Sequence, residues 1–120
     1  LIKKLDNEVY KGVGYGVGFA IRNNEDVGKF SWTVDVFEVG AQCDFSETEA
    51  QRFIALGGSG EIDIPASEEY LDRIVFSVPK QYANCDVKYK IDVLKEGNVY
   101  ASDTFAINIK NKPFTKSFCS

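Results

Sequence analysis

The 120-residue sequence contains no histidine and no methionine, and it has only three cysteines and three prolines. Without histidine the chain lacks the side chain that most often serves as a general base, and no serine or cysteine has an evident activating partner. The cysteines also lack the close spacing of a zinc site. We therefore expect a non-enzymatic protein with no catalytic residues, no metal and no cofactor.

Carboxylates are abundant, and two of them could in principle meet as a glycosidase pair. The more ordinary interpretation is a solvated acidic surface, because such side chains are mostly exposed in folded proteins. Calcium is a weaker alternative, since no Asp-x-Asp-x-Asp-Gly loop is present. The carboxylates concerned include Asp44, Glu47, Glu49, Glu61, Asp63, Glu68 and Glu69.

Long apolar runs and basic clusters are also missing. No run approaches the roughly 20 apolar residues of a membrane span, and the lysines and arginines are scattered in a chain of net charge −4. We therefore expect neither a direct membrane span nor nucleic-acid binding. The lack of methionine, even at position 1, indicates a processed mature protein or an excised soluble fragment, from which an N-terminal signal or anchor could have been lost.

What the chain does contain is alternation with a period of two. Residues 85–110 read as two strands joined by a tight turn at residues 95–98, and an amphipathic hairpin of this length needs a second sheet to cover its apolar face. Further alternating segments lie at residues 12–22, 29–40, 61–65 and 73–79. We predict one all-β domain over residues 1–120, a two-sheet antiparallel immunoglobulin-like sandwich of about seven strands.

The predicted core combines the tryptophan strand with the hairpin. Trp32 shares its face with other apolar residues, which favours a core anchor, although an exposed sugar-stacking platform is the functional alternative. A capping-box pattern, Ser46 with Glu49 three residues later, predicts one short helix at residues 46–54 that bridges the sheets. The residues expected to be buried together are Trp32, Val34, Tyr89, Ile91, Phe105 and Ile107.

Two cysteines lie where neighbouring antiparallel strands would meet, since Cys43 follows one strong strand and Cys85 opens another. We predict a disulfide between them, with two buried free thiols as the alternative. Such a disulfide places the protein outside the cytosol. Cys119 is left over, either free or paired with another chain.

The glycine-rich strand at residues 12–22 has side chains on one face and almost none on the other. Glycine weakens a strand unless something compensates, so we expect the tail around Phe114 and Phe118, or a second subunit, to lie against this side. Residues 111–120 form that tail. Residues 1–11 are a lead-in that could act as an edge strand or complete a neighbouring copy. The predicted interaction residues are Gly12, Gly14, Gly16, Gly18, Leu1, Ile2 and Leu5.

Over residues 12–110 the pattern resembles immunoglobulin-like or fibronectin-III-like domains of archaeal cell-surface proteins. The resemblance lies in the strand order, Cys43 after the tryptophan strand, the helix ending in Ile-Ala-Leu-Gly-Gly-Ser-Gly, and the segments CDVKYKIDV and NVYASDTFAINI. That group includes soluble domains of archaellum and pilus accessory proteins and repeats of surface-layer proteins. One departure is that Cys85 precedes Tyr89 by four residues, so the resemblance does not imply an antibody-type domain.

Two functional classes follow. The first is an extracellular structural or interaction module that contacts protein partners, as a subunit or accessory domain of a cell-surface filament, appendage or surface layer. The second is a carbohydrate- or small-ligand-binding module, because sandwich loops can vary without disturbing the core. A binding module should show exposed aromatic side chains clustered together, whereas a structural subunit should show an open sheet edge or a flat face.

Overall fold

The computed structural model describes residues 8–111 and contains two β-sheets and one short helix in that range. Leu1, Ile2, Leu5, the tail residues 112–120 and Cys119 therefore lie outside the described residues. The elements are β1 (Glu8–Tyr10), β2 (Tyr15–Arg22), β3 (Gly28–Val39), α1 (Glu47–Arg52), β4 (Ile54–Leu56), β5 (Ser59–Ile64), β6 (Glu69–Phe76), β7 (Cys85–Lys95) and β8 (Asn98–Lys110).

The strands form a five-stranded sheet in the order β1-β8-β7-β3-β5 and a three-stranded sheet in the order β2-β6-β4. All pairs are antiparallel except β1 with β8, which run parallel. In immunoglobulin-like sandwiches, strands B, E and D share one sheet and C, F and G the other. The order β2-β6-β4 facing β8-β7-β3 matches that arrangement. The predicted all-β sandwich is confirmed, with eight strands in the described range.

The predicted core is also confirmed. Trp32, Val34, Tyr89, Ile91, Phe105 and Ile107 belong to one buried cluster. Trp32 is only 5% exposed. Its ring centroid lies 5.4 Å from the ring centroid of Phe19 and 5.6 Å from that of Tyr70, and both of these residues belong to the opposite sheet. The alternative of an exposed sugar-stacking platform is therefore wrong for this tryptophan.

The central hairpin turns where the sequence predicts. Lys95 pairs with Asn98, and the two residues between them, Glu96 and Gly97, have φ angles of 50° and 83°. Positive φ at both positions is typical of the type I′ turn, whose twist matches that of the flanking strands. This turn leaves β7 and β8 paired along almost their whole length.

The predicted cross-link between Cys43 and Cys85 is present, with a Cα–Cα distance of 5.2 Å. Antiparallel pairing of β3 with β7 sets up this proximity, because Val39 at the end of β3 pairs with Val87 near the start of β7. The disulfide therefore closes the end of the five-stranded sheet beyond the last pair of this ladder.

The helix is shorter than predicted, covering residues 47–52 in place of 46–54. Its N-terminus has the expected capping box between Ser46 and Glu49. It ends early because the next residues, Ile54–Leu56, pair with β6 as a strand. Gln51 holds the helix against β3: its side-chain amide donates to the Val34 carbonyl at 2.9 Å and accepts from the Val36 N–H at 2.8 Å.

Two strands begin earlier than the alternating segments predict. The segment at residues 61–65 predicts a strand there, but β5 already begins at Ser59. The segment at residues 73–79 also predicts a strand, whereas β6 begins at Glu69 and ends at Phe76. Both early starts result from pairing with strands that are distant in sequence. The pairing of β5 with β3 includes Gly60 opposite Trp32, and β6 pairs with all eight residues of β2.

Candidate interaction surface

The outer face of the three-stranded sheet carries few large side chains on β2 and one exposed leucine on each of the other two strands. In register, Gly16 pairs with Val75, Gly18 with Arg73, and Ala20, which is buried, with Leu71. Leu71 is 64% exposed, and Leu56 of β4 is 68% exposed. Large exposed apolar side chains beside a flat strip are a feature of interaction surfaces when they lie together.

The predicted glycine face divides into two parts. Gly16 and Gly18 lie within β2, while Gly12 and Gly14 precede it. Gly12 has a φ of 81°, and its N–H donates to the Val78 carbonyl at 2.7 Å. Gly12 is therefore a turn residue that requires glycine for its backbone conformation, and a side chain there would add strain.

Side chains of the same chain lie against three of these four glycines. A Cβ atom built on Gly16 would lie 3.2 Å from Cδ of Arg73, and one on Gly14 would lie 3.8 Å from Cγ1 of Val75. A Cβ atom on Gly12 would lie 2.7 Å from Cε of Lys80. The expected cover from Phe114 and Phe118 falls outside the described residues. Part of the missing packing is therefore supplied by long basic side chains, whose alkyl stems cover apolar surface.

A groove of about 570 Å³ lies on the opposite side of the molecule, on the outer face of the five-stranded sheet. It is polar: Lys88 forms an ion pair with Glu38 at 3.5 Å, and the side chain of Asn108 donates a hydrogen bond to Asp86. No aromatic side chain of residues 8–111 lines it. Its lining residues are Glu38, Gly40, Asp86, Lys88, Ala106, Ile107, Asn108 and Lys110.

Exposed aromatic side chains do not cluster within residues 8–111. Phe37 is 57% exposed, and every other aromatic residue in that range is buried or half-buried. Tyr15, Tyr70, Tyr82 and Tyr100 pack against the core cluster. The stacking surface expected of a carbohydrate-binding module is therefore not present in the described part of the chain.

The carboxylates named as candidates do not converge on a metal site in the described range. Within residues 8–111 no group of three or more His, Cys, Asp or Glu side chains is arranged to hold a metal ion. Asp44 instead accepts a hydrogen bond from the Ala83 N–H at 2.9 Å. Glu49 accepts one from the Tyr82 hydroxyl at 2.6 Å.

The hydrogen bond between Glu49 and Tyr82 shifts the pKa values of both side chains away from neutrality. The Tyr82 hydroxyl and the Ser46 backbone N–H hold the pKa of Glu49 below its ordinary value, and the carboxylate raises the pKa of Tyr82 in return. The hydrogen bond to Asp72 raises the pKa of Tyr70 to about 12. An efficient general acid or base has a pKa near the working pH, so the shifts at these three groups are typical of structural hydrogen bonds.

No protein-family model matches the chain, and no curated protein matches it either. In residues 8–111 no helix is long and apolar enough to cross a membrane.

Proposed function

We propose that this domain is a non-enzymatic structural or interaction module outside the cell, which assembles with copies of itself or with other surface proteins. The observation that carries this proposal is the outer face of the three-stranded sheet, where β2 presents a flat strip next to exposed Leu71 of β6, with exposed Leu56 on β4 at the far side of β6. A subunit or accessory domain of a cell-surface filament, appendage or surface layer, of the archaeal kind that the sequence resembles, would use such a face.

The Cys43–Cys85 disulfide supports a location outside the cytosol. Disulfides form and persist mainly in oxidising compartments, while cytosolic thiols are kept reduced. The disulfide and the exposed face thus support the same location and role, although they are independent features of the chain.

Residues 1–6 are the second proposed interaction region. They lie outside the described residues, but they directly precede Asn7 and β1, which pairs in parallel with the last residues of β8. A segment with apolar Leu1, Ile2 and Leu5 that precedes a short strand in sequence is suited to complete a neighbouring copy by strand addition.

The alternative, a carbohydrate- or small-ligand-binding module, has less support. Trp32 is buried, and Phe37 is the single exposed aromatic residue in the described part of the chain. No aromatic side chain from that part lines the groove of about 570 Å³. A net charge of −4 also disfavours nucleic acid as a partner.

Charged substitutions on the flat strip test the proposal. Gly14→Glu is suitable because a Cβ atom fits there, and Gly16→Glu requires only a shift of the Arg73 side chain. Gly12 is unsuitable because of its positive φ. A third variant lacks residues 1–6. Thr104→Glu, an exposed position on the other sheet facing Lys90 in register, is the matched control.

We expect the parent and Thr104→Glu to assemble and at least one of the three test variants to lose assembly while its thermal unfolding stays cooperative. If the parent is monomeric at high concentration, or if every folded variant assembles as the parent does, the assembly proposal is wrong. The ligand-binding alternative would then replace it.

A further inference from the structure

The side of β3 that faces β5 has a strand partner along only part of its length. β5 pairs with β3 from Gly28 to Thr33, and in residues 8–111 no strand continues that pairing along residues 34–39. An uncovered stretch of strand presents backbone N–H and C=O groups to which a strand of another chain can bind. We call the β5-facing side of residues 34–39 the β3 border.

The side chain of Gln51 occupies this border. The Val34 N–H donates to the Gly58 carbonyl at 2.8 Å, and the next two border groups both bind the Gln51 amide. That amide donates to the Val34 carbonyl at 2.9 Å and accepts from the Val36 N–H at 2.8 Å. It thus supplies the donor and the acceptor that a neighbouring strand would supply. Beyond Val36 the register shifts at a bulge before Glu38, and bulges themselves discourage pairing at sheet edges.

The residues on either side of Gln51 fix the helix through other contacts. Ala50 is fully buried, and its carbonyl accepts from the Tyr89 hydroxyl at 2.7 Å. Phe53 is also buried, and its carbonyl accepts from the Ser77 N–H at 2.8 Å. Because these contacts hold α1 against the core, loss of the Gln51 amide should uncover the β3 border without releasing the helix.

We propose that α1 is an autoinhibitory plug on the β3 border: the Gln51 amide occupies the backbone groups through which the large sheet would otherwise pair with a strand of another chain. The border also carries Phe37, which is 57% exposed, and an apolar side chain beside open backbone groups makes a sheet edge prone to aggregate. This plug is separate from the proposed assembling face, since it lies on the large sheet and the flat strip lies on the small one.

Removal of the amide tests the plug. Gln51→Met keeps an unbranched side chain of similar length but can no longer donate to Val34 or accept from Val36. Thr48→Met is the matched control, because it adds the same side chain at an exposed position of the same helix. Gln51→Ala is a second test variant, in case methionine repacks into the border. Ile74→Val, at a buried position of the small sheet, controls for stability lost elsewhere.

Amide hydrogen exchange followed by NMR measures the border directly. We expect the Val36 N–H to exchange about five- to tenfold faster in both Gln51 variants than in the parent, a factor that corresponds to one hydrogen bond of ordinary net strength. The Ser77 N–H should keep its exchange rate, because it reports whether the helix stays in place, and Thr48→Met should change neither rate. An unchanged rate at Val36 would mean that the amide does not close the border. An equal increase at Ser77 would mean that Gln51 anchors the helix, and either result overturns the proposal.

The second readout is strand pairing itself, followed as the growth of thioflavin T fluorescence in folded protein kept well below its unfolding temperature. We expect both Gln51 variants to form intermolecular β-sheet faster than the parent, Thr48→Met and Ile74→Val. Equal rates in the Gln51 variants and Ile74→Val would assign the aggregation to lost stability and overturn the proposal. Neither readout requires the parent to assemble through its flat strip, so the plug and the proposed function can fail separately.

Discussion

Trp32 lies in the core between the two sheets and packs against both. Its ring packs between Phe19 and Tyr70 of the small sheet, and its indole N–H donates to the Gly57 carbonyl at 3.1 Å. The strand that carries it belongs to the large sheet, so this one side chain connects both layers of the core.

We predict that Trp32→Ala lowers the free energy of unfolding by about 3 to 5 kcal/mol, as expected for removing a large buried side chain. Urea unfolding followed by circular dichroism measures the loss. A loss below about 1 kcal/mol would contradict the burial of this side chain.

Gly60 makes room for the tryptophan ring. A Cβ atom on Gly60 would lie 2.5 Å from two ring atoms of Trp32. We predict that Gly60→Ala destabilises the domain by about 1 to 3 kcal/mol through overpacking. Gly14→Ala is the matched control, because a Cβ atom there has ordinary contacts, and thermal unfolding of the two variants should differ clearly. Equal unfolding temperatures would show that Trp32 does not press on Gly60.

Glu49 should make stability depend on pH. Its pKa in the folded protein is held below the ordinary value of 4.5 by the Tyr82 hydroxyl and the Ser46 backbone. A lowered folded pKa contributes stability above the unfolded pKa, and that contribution is lost as pH falls through the folded pKa. We predict that Glu49→Gln weakens the fall in unfolding temperature below about pH 4.5, measured by calorimetry. An unchanged acid profile would rule out this carboxylate as a contributor.

At the scale of elements, the alternation of apolar and polar residues was sufficient to predict the long strands. β3 and β7 alternate apolar and polar residues, and the Ser46–Glu49 capping box marks the helix start because both partners lie within four residues. Such signals are local, so they can be predicted from the sequence alone.

The missed elements depend on contacts that are distant in sequence. β4 has only three residues, too few for a pattern, and it exists because β6 lies beside it. The first half of β6 precedes the alternating segment at residues 73–79, yet within it Tyr70 donates to Asp72 at 2.7 Å and packs on Trp32. No local pattern shows these partners.

The disulfide stabilises the junction of β3 and β7. Its cysteines are 42 residues apart, and closing a loop of that length should contribute about 4 kcal/mol on the chain-entropy estimate. We predict that a Cys43→Ser/Cys85→Ser variant loses stability of this order in denaturant unfolding. Peptide mapping of native protein should also find the pair without Cys119, and recovery of both cysteines as free thiols would contradict the extracellular location.

At the scale of the whole molecule, only part of the candidate surface could be predicted. The glycine alternation of residues 12–18 is visible in the sequence, because periodicity shows which residues share a face. The side chains that cover it, Arg73 and Lys80, come from distant segments. Sheet order decides that Leu71 lies on the strand next to β2 and that Leu56 lies one strand further away, and sheet order follows from pairings across the chain.

The most direct test of the account is the mass of the natively produced protein in solution, measured by light scattering over a wide concentration range. We predict a mass that rises above the 13.4 kDa of one chain as concentration increases, and that falls back when the flat strip is altered in a folded variant. A mass of one chain at every concentration would contradict the claim that this domain exists to assemble.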